Sequence, residues 1–154
     1  MAGPLTFSYR GSHDLPLGRS ETWTTLERAD LYESWWQWMR RLEIAGTPLE
    51  TGTTFTFVVV APIPFTMNLA VRIEESVPPE RIRARITGDL EGSASMTFEE
   101  ISSELTCAKL EWTVEVKKPG MRTAARALRP LLQWGQSWAV DVALRGFLRH
   151  LGED

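Results

Sequence analysis

Few side chains in this 154-residue chain could carry covalent or proton-transfer chemistry, and they stand apart from one another. His13 beside Asp14 has the make-up of an imidazole base oriented by a carboxylate. Its surroundings, Gly11-Ser12-His13-Asp14-Leu15-Pro16, read as a polar turn, which weighs against a catalytic role. His150 lies near the end of the sequence and is expected in solvent. A lone cysteine, Cys107, excludes an internal disulfide and a multi-cysteine zinc site, and two histidines are a poor basis for a metal centre. Cys107 falls on the outward parity of its segment with no histidine nearby in sequence, so it reads as a structural thiol. The Gly46 to Gly52 stretch lacks the lysine of a phosphate-binding loop and leads into a strand pattern instead of a helix. No Gly-x-Ser-x-Gly elbow is present. The catalytic assignment is therefore left unknown, and no metal or cofactor is expected.

Two further groups of residues stand out. Lys117, Lys118, Arg122, Arg126 and Arg129 follow one another with no acid between them. On a helix, Arg122, Arg126 and Arg129 would share a face opposite Met121, Ala125, Leu128 and Leu132. That face is a solvated surface on the plain reading, and a peripheral contact with anionic lipid on the sharper one. The other group is aromatic: seven tryptophans, three of them in Trp35-Trp36-Gln37-Trp38. Indole N–H groups need partners, so such rings gather where a dry region meets a wet one. Trp35, Trp36 and Trp38 could gate a pocket mouth or plug the end of a core. The adjacent pair is expected to divide, one as plug and one as pocket wall.

The rest of the chain must position these groups. The length fits one domain spanning 1–154, large enough to bury a core without a disulfide or metal staple. A net charge of −3 argues against a nucleic-acid binder. The first five residues lack a basic start followed by an apolar run, so no signal peptide is expected. The longest apolar run, Val58 to Phe65, is interrupted by Pro62 and Pro64 and is far short of the roughly 20 residues needed to span a bilayer. A reduced, cytoplasmic protein follows as the default, and a monomer and a homodimer are both compatible with the sequence.

Alternation with period two dominates the middle of the chain. Arg81-Ile82-Arg83-Ala84-Arg85-Ile86 turns every second side chain inward, and Leu110, Trp112, Val114 and Val116 do the same further on. Thr53 to Val59, Phe65 to Ile73 and the segment holding Ala94, Met96 and Phe98 repeat it. Short turns separate them at Pro62-Ile63-Pro64, Val77-Pro78-Pro79, Gly88 to Gly92 and Ser102-Ser103, so neighbouring strands are expected to be antiparallel. Leu5 to Arg10 could add a strand, Leu42 and Ile44 could begin another, and Ser20 with Trp23, Leu26 and Leu31 suggests a short helix. From Met121 to Leu151 the period becomes helical, with Pro130 either opening the main helix or kinking a longer one. Residues 131 to 151 alone would extend roughly 30 Å.

This order resembles the START-like, or Bet v 1-like (SRPBCC), helix-grip superfamily, and within it the polyketide cyclase/dehydrase and lipid-transport branch. Three segments carry the resemblance: Leu31-Tyr32-Glu33-Ser34-Trp35-Trp36, Leu49-Glu50-Thr51-Gly52-Thr53-Thr54-Phe55 and Leu128-Arg129-Pro130-Leu131-Leu132-Gln133-Trp134. The resemblance implies an α+β fold. Its curved antiparallel sheet of about seven strands would come with two short N-terminal helices and a long C-terminal helix across the concave face. It also implies a cavity between sheet and helix that holds a hydrophobic small molecule or lipid. The inward set is Phe55, Phe57, Met67, Leu69, Ala84, Ile86, Met96, Phe98, Ala108, Leu110 and Trp112, facing Trp138 and Val142, with Trp35 and Trp36 at the edge. Periodicity alone favours a solid core here. The resemblance favours an open space, to which small residues such as Ala84, Ala94 and Ala108 would contribute. A binding or transport function is preferred. The alternative is a cyclase, aromatase or dehydratase using the same cavity, and a module that recruits protein partners through exposed aromatics comes third.

Overall fold

A computed structural model describes residues 5–152 except 61, 63 and 64. Strand β1 (Thr6–Leu15) is followed by helix α1 (Arg19–Leu26), a single 3-10 turn (Ala29–Leu31) and the short helix α2 (Tyr32–Trp35). Strands β2 (Met39–Ala45), β3 (Thr54–Val60), β4 (Thr66–Val77), β5 (Arg81–Gly88), β6 (Leu90–Ser102) and β7 (Leu105–Val116) follow in a meander. Helices α3 (Pro119–Ala124) and α4 (Arg129–Gly152) close the chain. The strands form one seven-stranded antiparallel sheet in the order β1-β7-β6-β5-β4-β3-β2. This is the helix-grip arrangement, with α4 across the concave face. Of the Pro62-Ile63-Pro64 turn, Ile63 and Pro64 lie outside the described residues.

Alternation explains the sheet. Phe7 pairs with Val114, Val114 with Gly92, Gly92 with Ile86, Ile86 with Val71, and Val71 with Phe55. That row crosses six strands and is apolar on its inner side, which fixes the register. Gly92 sits at its centre. A Cβ there would lie 1.9 Å from the Thr113 carbonyl oxygen, so only glycine allows β6 and β7 to close up at that point. Register shifts between Arg40 and Glu43, Ile73 and Glu75, and Glu100 and Ser102 bend the strands further.

Three expectations change. The residues Gly11 to Leu15 form no turn: they continue β1, with His13 opposite Ala108 and Asp14 opposite Cys107. Ladder pairing along β7 outweighs the turn preferences of the glycine and the polar residues. The helical period from Met121 does not make one helix. Pro130 lacks an N–H and clashes with the carbonyl four residues back, so α3 stops, residues 125–128 form a turn, and Pro130 stands in the first turn of α4. Arg122, Arg126 and Arg129 consequently do not share one helix face. Finally, His150 is half-buried, its ring centred 4.8 Å from that of Trp35.

The concave side is built in two parts. At one end α1, α2 and the last turns of α4 fill it: Trp23, Tyr32, Trp35, Phe55, Ile73, Ile82, Ala84, Phe98, Ala108 and Phe147 form a continuous buried cluster. Trp23 meets Phe98 edge-on at 6.0 Å, and Trp35 meets Phe147 edge-on at 5.6 Å. At the other end a second cluster, with Phe7, Val59, Met67, Val114, Val116, Met121, Ala125 and Leu132, surrounds a space it does not fill.

Candidate functional site

That space is a cavity of about 230 Å³. The sheet supplies Phe7, Phe57, Val59, Met67, Leu69, Val71, Ile86, Leu90, Trp112, Val114 and Val116. Helix α4 supplies Leu132, Gly135, Gln136, Trp138 and Ala139, α3 supplies Met121, and the start of β2 is preceded by Trp38. Gly135 and Ala139 lie one helical turn apart and have little or no side chain, so α4 leaves room where a larger pair would close it. The wall is hydrocarbon apart from three indoles, the thioethers of Met67 and Met121, and the Gln136 amide. The Trp112 indole donates to Gln136 Oε1 at 2.6 Å.

Trp38 and Trp138 also border a second space, an open groove of about 460 Å³. Its walls are Trp35, Trp36, Gln37, Trp38, Arg40 and Val60 on one side and Trp138, Val142, Arg145, Gly146 and Arg149 on the other. The Trp38 and Trp138 indoles therefore stand between the cavity and the groove, the two residues common to both linings. The cavity is smaller than the roughly 300–1,000 Å³ usual for small-molecule sites, and the groove falls within that range. Gly146 makes the groove's inner wall possible. A Cβ there would lie 2.3 Å from the Trp35 carbonyl oxygen, so α2 can rest on α4 only at a glycine. The Trp36 indole then donates to the Ala143 carbonyl at 2.8 Å, and Trp36 stacks on Trp38 at 5.9 Å.

The residues singled out from the sequence separate into groups. Phe57, Met67, Leu69, Ile86, Trp112 and Trp138 line the cavity. Trp35, Trp36 and Val142 line the groove, together with Trp138. Trp35 is buried among Tyr32, Phe147 and His150, whereas Trp36 is only partly covered, and both border the groove. Phe55, Ala84, Phe98 and Ala108 belong to the packed end, Met96 packs against it, and Leu110 is half-buried outside both lining sets. Ala84 and Ala108 thus do not open the space, because α1 and α2 cover that end of the sheet. Trp38, Phe7, Gly135, Gln136 and Ala139 were not in the set. Phe7 and Val59 share the inward parity, and the Gly135–Ala139 spacing was visible as a helix face.

The polar groups are placed elsewhere. The Tyr9 hydroxyl shares a 2.9 Å hydrogen bond with His13 Nε2, and its ring stacks on Trp112 at 4.8 Å. Burial, and next the charge of Asp141, raise the Tyr9 phenol above its ordinary value. Neither Tyr9 nor His13 lines the cavity. Arg122 donates to the Val116 carbonyl at 3.0 Å and approaches Glu115 at 4.0 Å. Arg129 lies 4.7 Å over the Phe7 ring and donates to the Thr6 carbonyl at 3.2 Å, while Arg126 is exposed. No helix among the described residues is long and apolar enough to cross a membrane.

No family model matches the chain. No curated protein matches it in sequence. Solved structures do match. The chain is similar to the Zhui aromatase/cyclase of a Streptomyces species, with a TM-score of 0.74 at 12% identity over 94% of this chain and 93% of that one. It is similar to a START superfamily protein of Mycobacterium smegmatis, with a TM-score of 0.70 at 13% identity over 94% and 98%. Norcoclaurine synthase of Thalictrum flavum matches with a TM-score of 0.67 at 11% identity over 97% and 95%. At these identities the likeness is one of fold, and the chain has the START-like, Bet v 1-like helix-grip fold.

Proposed function

We propose that this chain, as one START-like domain over residues 1–154, binds and carries a hydrophobic small molecule or lipid between its sheet and α4. The carrying observation is the apolar cavity between sheet and α4, which shares Trp38 and Trp138 with an adjoining aromatic groove. Burial of apolar surface would drive such binding, and shape would select the ligand. The proposed wall is Phe57, Met67, Leu69, Ile86, Trp112 and Trp138, with Trp36 and Val142 at the mouth.

Cyclisation or dehydration of a polyketide-like substrate has less support. An aromatase/cyclase shares the fold, but that chemistry needs an acid or base beside the substrate, and the described cavity wall offers one amide and three indoles. Contact with an anionic lipid surface through Arg122, Arg126 and Arg129 also has less support, since the three stand on α3, the following turn and α4 and present no common helix face, and Arg122 approaches Glu115. The free thiol of Cys107 suits a reducing, cytoplasmic setting. All lining groups come from one chain, so the reading is the same for a monomer and a homodimer.

The test is titration of ligand-stripped protein with 1-decanol, followed by tryptophan emission. Saturable quenching or a spectral shift is expected, because three indoles line the cavity. Unsaturable, detergent-like behaviour would refute the reading.

A further inference from the structure

We infer that the ligand is an amphiphile with a single anionic head, its apolar tail in the cavity and its head in the groove between Arg40, Arg145 and Arg149. The inference rests on the cavity being a ligand site and adds the chemistry of the ligand's polar end.

Burying an ion without a partner costs far more than burial of the attached chain returns, and the cavity wall carries no charge to meet one. A charged head must therefore stop at the mouth. There the groove turns basic. Arg145 and Arg149 stand one turn apart on α4, and Arg40 faces them from β2. Each is steadied by one bond to a backbone carbonyl: Arg40 Nε to Gln37 at 2.8 Å, Arg145 Nε to Asp141 at 3.3 Å, and Arg149 Nη2 to Trp35 at 3.4 Å. A guanidinium has five N–H donors in a fixed fork, so most remain available for an anion. Among the described residues no acidic side chain lines the groove and no carboxylate forms an ion pair with any of the three. By contrast Arg10, Arg28, Arg81 and Arg83 each pair with a carboxylate. In a chain with 20 acidic and 17 basic residues, three arginines lining the groove that adjoins an apolar cavity at Trp38 and Trp138 form a local site for negative charge.

Carboxylate and phosphate heads share this chemistry, so both belong in the test. Ligand-stripped protein is titrated at low salt and neutral pH with decanoate, 1-decanol and decyltrimethylammonium, and with dihexanoylphosphatidate as the phospholipid arm. Decanoate is expected to bind at least about tenfold tighter than the cation, since each exposed pair adds up to roughly fivefold. Arg145→Gln with Arg149→Gln should weaken decanoate about tenfold. The same double variant should leave decanol within roughly twofold, which also shows that it is folded. Added salt should weaken decanoate and spare decanol. If dihexanoylphosphatidate exceeds decanoate, the natural head is a phosphate; if decanoate exceeds it, a carboxylate; either supports an anionic head. Equal affinity for all three decyl compounds, or equal loss of decanol and decanoate in the double variant, overturns the head assignment and leaves the cavity reading standing. Failure of every probe to bind overturns the cavity reading and this inference with it.

Discussion

Ala139→Phe tests the cavity most directly. Ala139 lies on α4 and borders the space, one turn from Gly135. A cavity of about 230 Å³ forgoes packing contacts that, at roughly 24 cal/mol per Å³, amount to about 5 kcal/mol. A phenyl ring that takes up part of that volume regains part of this. Stabilisation of about 1–2 kcal/mol is expected, because a buried phenylalanine contributes about 1.5–3 kcal/mol and fitting it costs some strain. The same ring takes the room of the ligand. Displacing three methylenes at about 0.8 kcal/mol each removes about 2.4 kcal/mol, or roughly fiftyfold in affinity. Thermal melting gives the first quantity, with a rise of a few degrees expected, about 2–4 °C per kcal/mol at this size. Titration with 1-decanol gives the second. A stable variant that binds decanol as tightly as the parent would show that ligand does not sit between Ala139 and the sheet. A variant that loses more than about 2 kcal/mol would show that the room is not there, since overpacking costs that much in a filled core.

Gly146→Ala places a Cβ against the Trp35 carbonyl and the Trp36 ring, so α2 must lift from α4; a loss of about 1–3 kcal/mol is expected in urea unfolding, with a red-shifted tryptophan emission. Trp112→Phe exchanges the indole for a smaller phenyl ring and removes the donor to Gln136 Oε1; the lost hydrogen bond and the lost packing together should cost about 1–3 kcal/mol by the same measurement. Tyr32 is buried with its hydroxyl donating to the Leu26 carbonyl, and burial, then the charge of Glu27, hold its phenol far above the ordinary value. The unfolded chain therefore gives up this proton first: stability is whole below about pH 10 and falls above it by about 1.4 kcal/mol per pH unit, until the folded phenol ionises too. Phenolate absorbance should show Tyr32 ionising together with loss of tertiary structure, and reversible ionisation of both tyrosines in the folded protein would contradict this. Trp134 is 48% exposed on α4 and lines neither space, so Trp134→Gln should change stability by less than about 0.5 kcal/mol.

How much of this was legible in the sequence depends on which physical signal carried it. Alternation named the inward residue on nearly every strand, because a pleat has only two faces. It could not say where along a strand the sheet would be covered. Ala84 and Ile86 share one parity on β5, yet Ala84 is packed beneath the N-terminal helices and Ile86 borders the cavity. The difference is set by α1 and α2, whose resting place depends on contacts such as Trp23 with Phe98, far apart in sequence. His13 misled for a related reason: Gly11, Ser12 and Asp14 favour turns locally, and only pairing with β7 makes them a strand. Pro130 was correctly ambiguous, since one proline can open a helix or bend one; the turn at residues 125–128 settles it as an opening.

The unequal halves explain why a chain of this size can tolerate an unfilled interior at all. Net folding stability is of order 5–15 kcal/mol, so forgone packing of about 5 kcal/mol is a large fraction of it. The packed end makes up the difference with the densest aromatic contacts in the molecule: Tyr32, Trp35, Trp36, Phe55, Phe147 and His150 touch ring to ring. Trp36 and Trp38 extend this stack along the groove as far as the cavity, which Trp38 also borders. Trp23 and Trp35 thus seal one half of the concave face and Trp38, Trp112 and Trp138 border the cavity in the other, while Trp134 takes part in neither. A ligand that filled the remaining space would return packing energy and stabilise the fold by mass action, which couples occupancy of the cavity to the stability of the whole sheet.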